Sequence, residues 1–549
     1  MTGSQESHRY LIVVIAIASF VALPSRVSSK DGVKIYVNGS MGSDSNPGSQ
    51  SRPLRTIGKA ALIAVANHDR NIATTVAIAA GVYREAVTVS GRNADVGAPI
   101  AFEAIKPGAV IISGSDIWTG WRADPNDPRR YVHSWPYTWG ACPPIPHWPA
   151  MTEIVARREM VFVNGSLLTQ VISRDELQQG SFFVDEASGQ ITLWPAAGTD
   201  MASSTVEVSL RPKLFESHLI SHLTLSGLTF EHANPCVSMT FPAAVAIVHG
   251  SDETLDDCTF EWNNWQGLAL AGVTDTVLHR VVANSNGELG IAGSHLVRIT
   301  LDGVETSRNN WRGAWGQFFG WEPGGGKFLF VHGGSFKDYT AVGNQANGLW
   351  FDTGNEDINV DRAFLKGNRL NGLFMEANEG PITITSSRIC GNSGGGIESN
   401  NSARVTLTNN VIADNGGYQI FVDGASPQRT WKNSQTGTTS VATEQGWSLG
   451  QNIIMGKDAS QILFKTYQSS PDSSRLFFST MQSDHNTWYN AAGGRVMQLD
   501  RGGAGHKPRN IALAEWRAAT GQDENSKNGP PPGDPSQLCP DDRSHGDAR

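Results

Sequence analysis

The feature that most constrains this chain is an internal repeat. Gly348, Gly372 and Gly396 stand 24 residues apart, each followed by an aliphatic residue: Leu349, Leu373 and Ile397. Upstream, Gly267, Gly290 and Gly313 recur every 23 residues inside QGLALAG, LGIAGS and RGAWGQ. The intervals hold short β-favouring segments such as HLTLSGLTFEH, INVDRAFLKGNR, ITITSSRICGN and RVTLTNNVIADN, closing in or near polar turn residues, mostly Asn or Gly. Strand–turn units of constant length, none able to bury its apolar side alone, stack into a parallel β-solenoid. The alternating longer helical patterns of a doubly wound or barrel α/β fold are absent.

The repeat divides the chain. Residues 1–29 carry His8 and Arg9, the apolar run LIVVIAIASFVAL and the small residues Val27-Ser28-Ser29, the layout of a secretory signal peptide cleaved near Lys30. Residues 30–117 read as strand, Gly/Ser/Asn/Pro loop, amphipathic helix and strand, a cap over the open end of a first coil. In that cap GSDSNPG could ligate calcium through Asp44, but with one carboxylate a plain turn is the better reading. Over residues 118–211 the period is lost, and REMVFVNGSLLTQV with SFFVDEASGQITLWPAAGTD reads as paired strands of an inserted β subdomain. Residues 212–522 continue the solenoid, and the Pro/Gly/charged segment 523–549 is expected to be disordered.

A chain of 549 residues with 39% hydrophobic and 17% charged residues can bury a large core. Its net charge of −9, free of long single-sign blocks, argues against a nucleic-acid partner. No second membrane-length segment follows the leader, and neither a metal nor another cofactor is called for. The five cysteines include no CxxC; Cys236 and Cys258, 22 positions apart, could stack on neighbouring turns and pair, or stay as a buried free pair.

NGLWFD (347–352) and NGLFME (371–376) are one hexapeptide written twice and closed by different carboxylates. Strand side chains alternate, so with Leu349, Phe351, Leu373 and Met375 inside, Trp350 and Asp352, then Phe374 and Glu376, face outward. Because their spacing equals the repeat, Asp352 and Glu376 are expected to sit one strand apart, ~4.8 Å, near the ~5–5.5 Å separation of retaining glycosidases. Joint ionisation at that distance is disfavoured, so one carboxyl should keep its proton, as a proton donor beside a nucleophile requires. Trp350 and Phe374 would offer aromatic faces to sugar C–H groups. Glu398, on the next coil, could bind a hydroxyl, or pair with Glu376 at an offset of roughly 8 Å, the inverting range. Asn378 could hydrogen-bond near Glu376. Asp357 and Asp361 read as turn and solubility residues. The aromatic, Gly-rich loop from Trp311 to Lys327 is expected to overhang the cleft, with Trp315, Trp321 and Lys327 contributing to substrate binding.

These residues resemble the right-handed parallel β-helix carbohydrate-active proteins of the pectin-lyase-like type, and most closely the β-xylosidases of glycoside hydrolase family one hundred and twenty. The resemblance runs through VNGSMGSDSNPGSQSRPLRTI, VFVNGSLLTQV, GSFFVDEASGQITLWP and FMEANEGPITI, over roughly residues 34–425. It implies an all-β right-handed parallel β-helix with an inserted β subdomain, Asp352 as nucleophile and Glu376, opening an E-x-N-x-G-P motif, as acid/base. The chain has Glu379 where that family favours His, which bears on sugar specificity. The expected function is a secreted glycoside hydrolase acting on an oligo- or polysaccharide by a retaining mechanism. Polysaccharide lyases and uronate epimerases share the solenoid and would use a base such as Lys327 or His332; a non-catalytic sugar-binding protein is the third possibility.

Overall fold

The computed structural model describes residues 32–92, 97–144, 151–236, 242–313, 323–424, 430–433, 436–503, 507–531 and 538–540. Strands on successive coils pair in parallel along three faces, which makes the chain a parallel β-helix. The first face runs Ala243–Val248, Gln266–Ala271, Leu289–Asp302, Gly324–Lys337, Asn347–Asp352, Asn371–Glu376, Gly395–Asn400, Tyr418–Gly424 and Ile462–Gln468. The second includes Glu356–Asp361, Ile382–Thr385 and Val405–Thr408. The third includes Thr340–Val342, Phe364–Lys366, Arg388–Cys390 and Val411–Ala413. One continuous apolar core fills the coils, with Leu349, Leu373 and Ile397 stacked at equivalent places.

Each coil bends from the first face to the second through a left-handed residue: Phe330 (φ 51°), Gly354 (74°), Ala377 (55°) and Asn401 (56°). Non-glycine residues in that region are uncommon, and here the ladder holds them: Phe330 N–H donates to Thr353 O and Ala377 N–H to Asn400 O. Where each coil turns from the third face back to the first, buried asparagines satisfy the turn backbone from coil to coil. Asn344 Nδ2 donates to Thr306 O and Asn368 Oδ1, and Asn368 repeats this with Ala341 O and Asn392 Oδ1.

At the N-terminal end the helix Ile57–His68 covers the first coil. Asp44 accepts Arg55 N–H, Thr56 N–H and the Thr56 hydroxyl, so its oxygens are used in the turn, as the plain-turn reading expects. Strands between Ser115 and Ser209 form two antiparallel-based sheets beside the solenoid. Arg312, 6% exposed, ties them on: it donates to Asn264 Oδ1, Gln170 Oε1 and Glu159 O.

Two expectations are corrected. The disulfides are Cys142–Cys236 and Cys390–Cys539, and Cys258 is a buried free thiol; near-equal repeat spacing could not reveal partners supplied by the inserted subdomain and the tail. Nor is the segment from 523 without structure. Asp523 is 1% exposed and accepts both Trp488 and Trp516 indole N–H groups, and Lys527–Asn528 adds a strand to Thr487–Trp488. The last coil needs a cover, and this polar segment supplies it. The leader expected over residues 1–29 lies outside the described residues.

Burial raises several acids: Glu231 and Glu253 to about 7, and Glu444 to about 8. An acid raised on folding stabilises below its unfolded pKa, and that contribution is lost as pH rises through the folded value. His232, lowered to about 4 by burial, acts in the opposite sense only below about pH 6.5. Thermal melts should therefore show Tm falling from about pH 6.5 to about pH 9, and Glu253→Gln should flatten the slope.

Candidate active site

Asn347–Asp352 and Asn371–Glu376 pair in parallel through Leu349–Leu373, Trp350–Phe374 and Phe351–Met375, which brings Asp352 and Glu376 to the same place on consecutive coils. Leu349, Phe351, Leu373 and Met375 are in the solenoid core, whereas Trp350 and Phe374 are not. The alternation is thus as expected, with both carboxylates on the outer side of the first face. Outward does not mean solvated, however. Asp352 is 5% and Glu376 4% exposed, and Trp350 is 1% exposed. A solvated surface role for the two acids is excluded by that burial, because charged groups this covered demand partners.

Asp352 has them. Lys327 Nζ lies 3.2 Å from Asp352 Oδ2, and Thr353 donates to Oδ1 from its backbone N–H (2.7 Å) and its hydroxyl (2.8 Å). Thr353 is an extra residue: one residue separates Asp352 from the left-handed Gly354, whereas Glu376 and Asn400 directly precede theirs. The Asp352 coil is locally bulged, a device that re-aims a side chain. Lys327 also stands 3.9 Å above the Trp350 ring, and Trp350 and Phe374 have centroids 5.0 Å apart. The buried ammonium and two hydrogen bonds serve the negative charge of Asp352.

Two columns of side chains run along the face. One reads Leu329, Asp352, Glu376, Asn400 and Asp423; the other reads Lys327, Trp350, Phe374, Glu398, Phe421 and Lys465. Glu398 is in the second column, as expected, and its Oε2 accepts Tyr418 OH (2.5 Å) and Asn371 Nδ2 (2.7 Å). Burial, with Glu398 beside it, raises the Tyr418 phenol well above its ordinary value. Asp423 is raised to about 6, by burial first and Glu398 second.

Asn378 does not lie on the outer side with the carboxylates. It is fully buried, donating to Phe351 O and Ser402 Oγ and accepting from Asn355 N–H and Nδ2, a rung of an asparagine ladder. The expected substrate role is corrected accordingly: polarity and nearness in sequence do not show which side of the turn a residue takes. Asp357 is exposed at a left-handed position of the strand Glu356–Asp361, and Asp361 accepts the Thr385 hydroxyl. Trp315 and Trp321 lie outside the described residues. His332 is beyond the bend, 3.3 Å from Glu356 Oε2. Glu379 joins that group; burial and then the Glu356 carboxyl raise it to about 7.

Sequence reading missed Tyr418, Asn371, Asp423, Lys465 and the hairpin Thr430–Lys432/Thr439–Val441, whose Trp431 packs on Ala377 and Phe330 beside the carboxylates. Counting one more repeat past Asn400 would have placed Asp423. Nothing comparable signals the hairpin, which interrupts the period.

A family model described as right handed beta helix region matches residues 243–398, and one described as a protein of unknown function (DUF1565) matches residues 40–89. No curated protein sequence matches the chain. A solved complex of XylC with xylose is similar over 90% of this chain and 86% of its own, with 14% identity and a TM-score of 0.64. A solved glycoside hydrolase is similar over 89% of this chain and all of its own, with 10% identity and a TM-score of 0.50. At such identities the likeness is one of fold, the right-handed β-helix.

Two outcomes check this geometry. Asn378→Ala should lower stability by about 1–3 kcal/mol, through buried groups left unbonded, and leave KM at 20 °C unaltered; calorimetry and steady-state kinetics read both. Lys327→Met should cost about 3–5 kcal/mol by stranding the buried Asp352 charge, and adding Asp352→Asn should recover much of it, as a double-mutant cycle measures.

Proposed function

We propose that this protein is a secreted glycoside hydrolase that cleaves neutral glycosides with retention of configuration. The observation that carries the reading is the buried, coil-stacked pair Asp352 and Glu376, with Lys327 and Thr353 against Asp352. A nucleophile needs its charge, and Asp352 is supplied with a cation and donors. Two acids one strand spacing apart, at ~4.8 Å, disfavour joint ionisation, and Glu376 takes the role of proton donor.

In the first step Asp352 attacks the anomeric carbon while Glu376 gives its proton to the departing glycosidic oxygen, leaving a glycosyl ester on Asp352. Glu376, now a carboxylate, takes a proton from water, which attacks the same carbon and frees Asp352. Trp350 lies under the Lys327 ammonium, so Phe374, half-buried in the same column, is the better-exposed aromatic wall for a sugar ring. Four carboxyls, Asp352, Glu376, Glu398 and Asp423, against Lys327 and Lys465 favour a neutral substrate over an anionic one. Two disulfides support export, since such bonds persist in oxidising compartments.

Lys327 supports a second reading, a lyase or epimerase in which its ammonium meets a uronate carboxylate. Aryl glycosides of xylose, arabinose, fucose and galactose, assayed beside acidic polysaccharides for unsaturated products absorbing in the ultraviolet, separate the two. For the hydrolase, NMR should show the retained anomer formed first. Glu376→Ala should lower kcat by about 10²–10⁴-fold with a poor leaving group and still burst with an activated aryl glycoside. Azide should rescue Asp352→Gly as the inverted glycosyl azide. An inverted first product would remove Asp352 as nucleophile.

A further inference from the structure

We infer that the inserted subdomain carries a binding surface for a neutral polysaccharide chain, formed by Trp121, Trp118, Tyr137 and Trp139, a set of residues separate from the carboxylate columns. The inference goes beyond the hydrolase reading and does not depend on it, because a chain is held on this surface whether or not it is cleaved elsewhere.

The four rings come from two short stretches, IWTGW (117–121) and WPYTW (135–139). In the second, side chains alternate: Trp135 is buried and Tyr137 and Trp139 half-buried, whereas Pro136 and Thr138 are exposed. Trp135, 2% exposed, belongs to the apolar core of the subdomain and stands edge-on to Tyr137 and Trp139, at interplanar angles of 77° and 85°. The other rings pack on that core and remain half-buried. They follow one another as Trp121, Trp118, Tyr137 and Trp139, with centroid spacings of 6.5, 6.4 and 4.9 Å and interplanar angles of 34°, 30° and 21°. The result is a row of four rings of similar tilt, and contiguous exposed apolar surface rimmed by polar residues marks an interaction site.

The polar ends of the rings select the occupant. Trp121 Nε1 is committed, donating to Trp118 O. Trp118 Nε1, Trp139 Nε1 and Tyr137 OH take no hydrogen bond among the described residues, and none of the three is enclosed. An aliphatic partner laid on the row would cover these donors and leave them unbonded, which is unfavourable. A pyranose supplies what both parts need, an apolar C–H face for the rings and hydroxyls for the donors. Charge points the same way. Between the rings the chain places Thr119, Gly120, Pro136 and Thr138, all uncharged. Arg158, 4.7 Å from the Trp139 ring, donates to Asn234 Oδ1 and is used where the subdomain meets the solenoid. A neutral polymer therefore complements the row better than an anionic one. Because the rings are in series, one chain engages several of them together, and contacts that are weak singly add up along it.

The test uses full-length Asp352→Asn protein, so that binding is read without turnover, and adds Trp121→Ala, Tyr137→Ala or Trp121→Phe to it; thermal melts confirm that each folds. Affinity electrophoresis through gels containing neutral xylan, β-glucan or galactan, with polygalacturonate as the anionic control, measures Kd. The same three substitutions in the otherwise wild-type chain are assayed on whichever aryl glycoside the wild type cleaves. The expected result is retardation by at least one neutral polysaccharide, weakened about tenfold by either alanine substitution and largely kept by Trp121→Phe, with aryl-glycoside kcat/KM unaltered. Retardation that the alanine variants leave intact, or that polygalacturonate alone produces, would overturn the surface, as would no retardation by any neutral polysaccharide. Light scattering that shows a dimer which Trp121→Ala converts to a monomer would assign the row to a second copy of the chain instead. Retardation lost in the alanine variants, from a wild type that cleaves no glycoside, would leave the surface standing and remove the hydrolase reading.

Discussion

The parallel backbone ladder between coils is the constraint on which the rest of this molecule depends. Parallel strands sit ~4.8 Å apart, and their evenly spaced bonds hold each residue opposite one partner. In a solenoid, residues one repeat apart in sequence therefore become neighbours in space. Leu349, Leu373 and Ile397 stack in the core for that reason, and Asp352 and Glu376 stack outside it for the same reason. The left-handed bends and the asparagine rungs keep this register, because they satisfy the backbone where the ladder turns.

Stacking by itself would be unfavourable for two buried acids. Like charges a strand apart repel, and their burial removes the water that would screen them. At Asp352 the structure answers with Lys327 and Thr353, the latter through one residue inserted ahead of the bend. Further along the face the same problem is met differently. Glu398 is bound by Tyr418 and Asn371, while Asp423 is shifted towards its protonated form. A single stripe of outward positions thus holds acids in distinct electrostatic settings, the condition for giving them distinct chemical roles.

The repeat made the solenoid, the carboxylate column and the place of Glu398 legible before any coordinates, because each depends only on period and strand parity. The inserted subdomain was legible as a loss of period. Asn378 misled because a residue after the strand can turn inward to the ladder, and parity no longer applies there. The disulfides and the tail were hidden for another reason: Cys142 and Cys539 lie in non-repeating segments whose paths are set by packing against distant coils. The hairpin carrying Trp431 breaks the repeat and leaves no periodic trace.

What the sequence determined alone is the coil: its length, which side chains enter the core, and that Asp352 and Glu376 must meet. Those follow from backbone geometry repeated at fixed intervals. What only the tertiary structure decided is the difference between the two carboxylates and the covering around them. Lys327 arrives from the preceding coil, Tyr418 from two coils after the Glu376 strand, and Trp431 from an insertion. Side-chain reach, burial and hydrogen-bond partners are not periodic quantities; they are set when the coils and their insertions pack together.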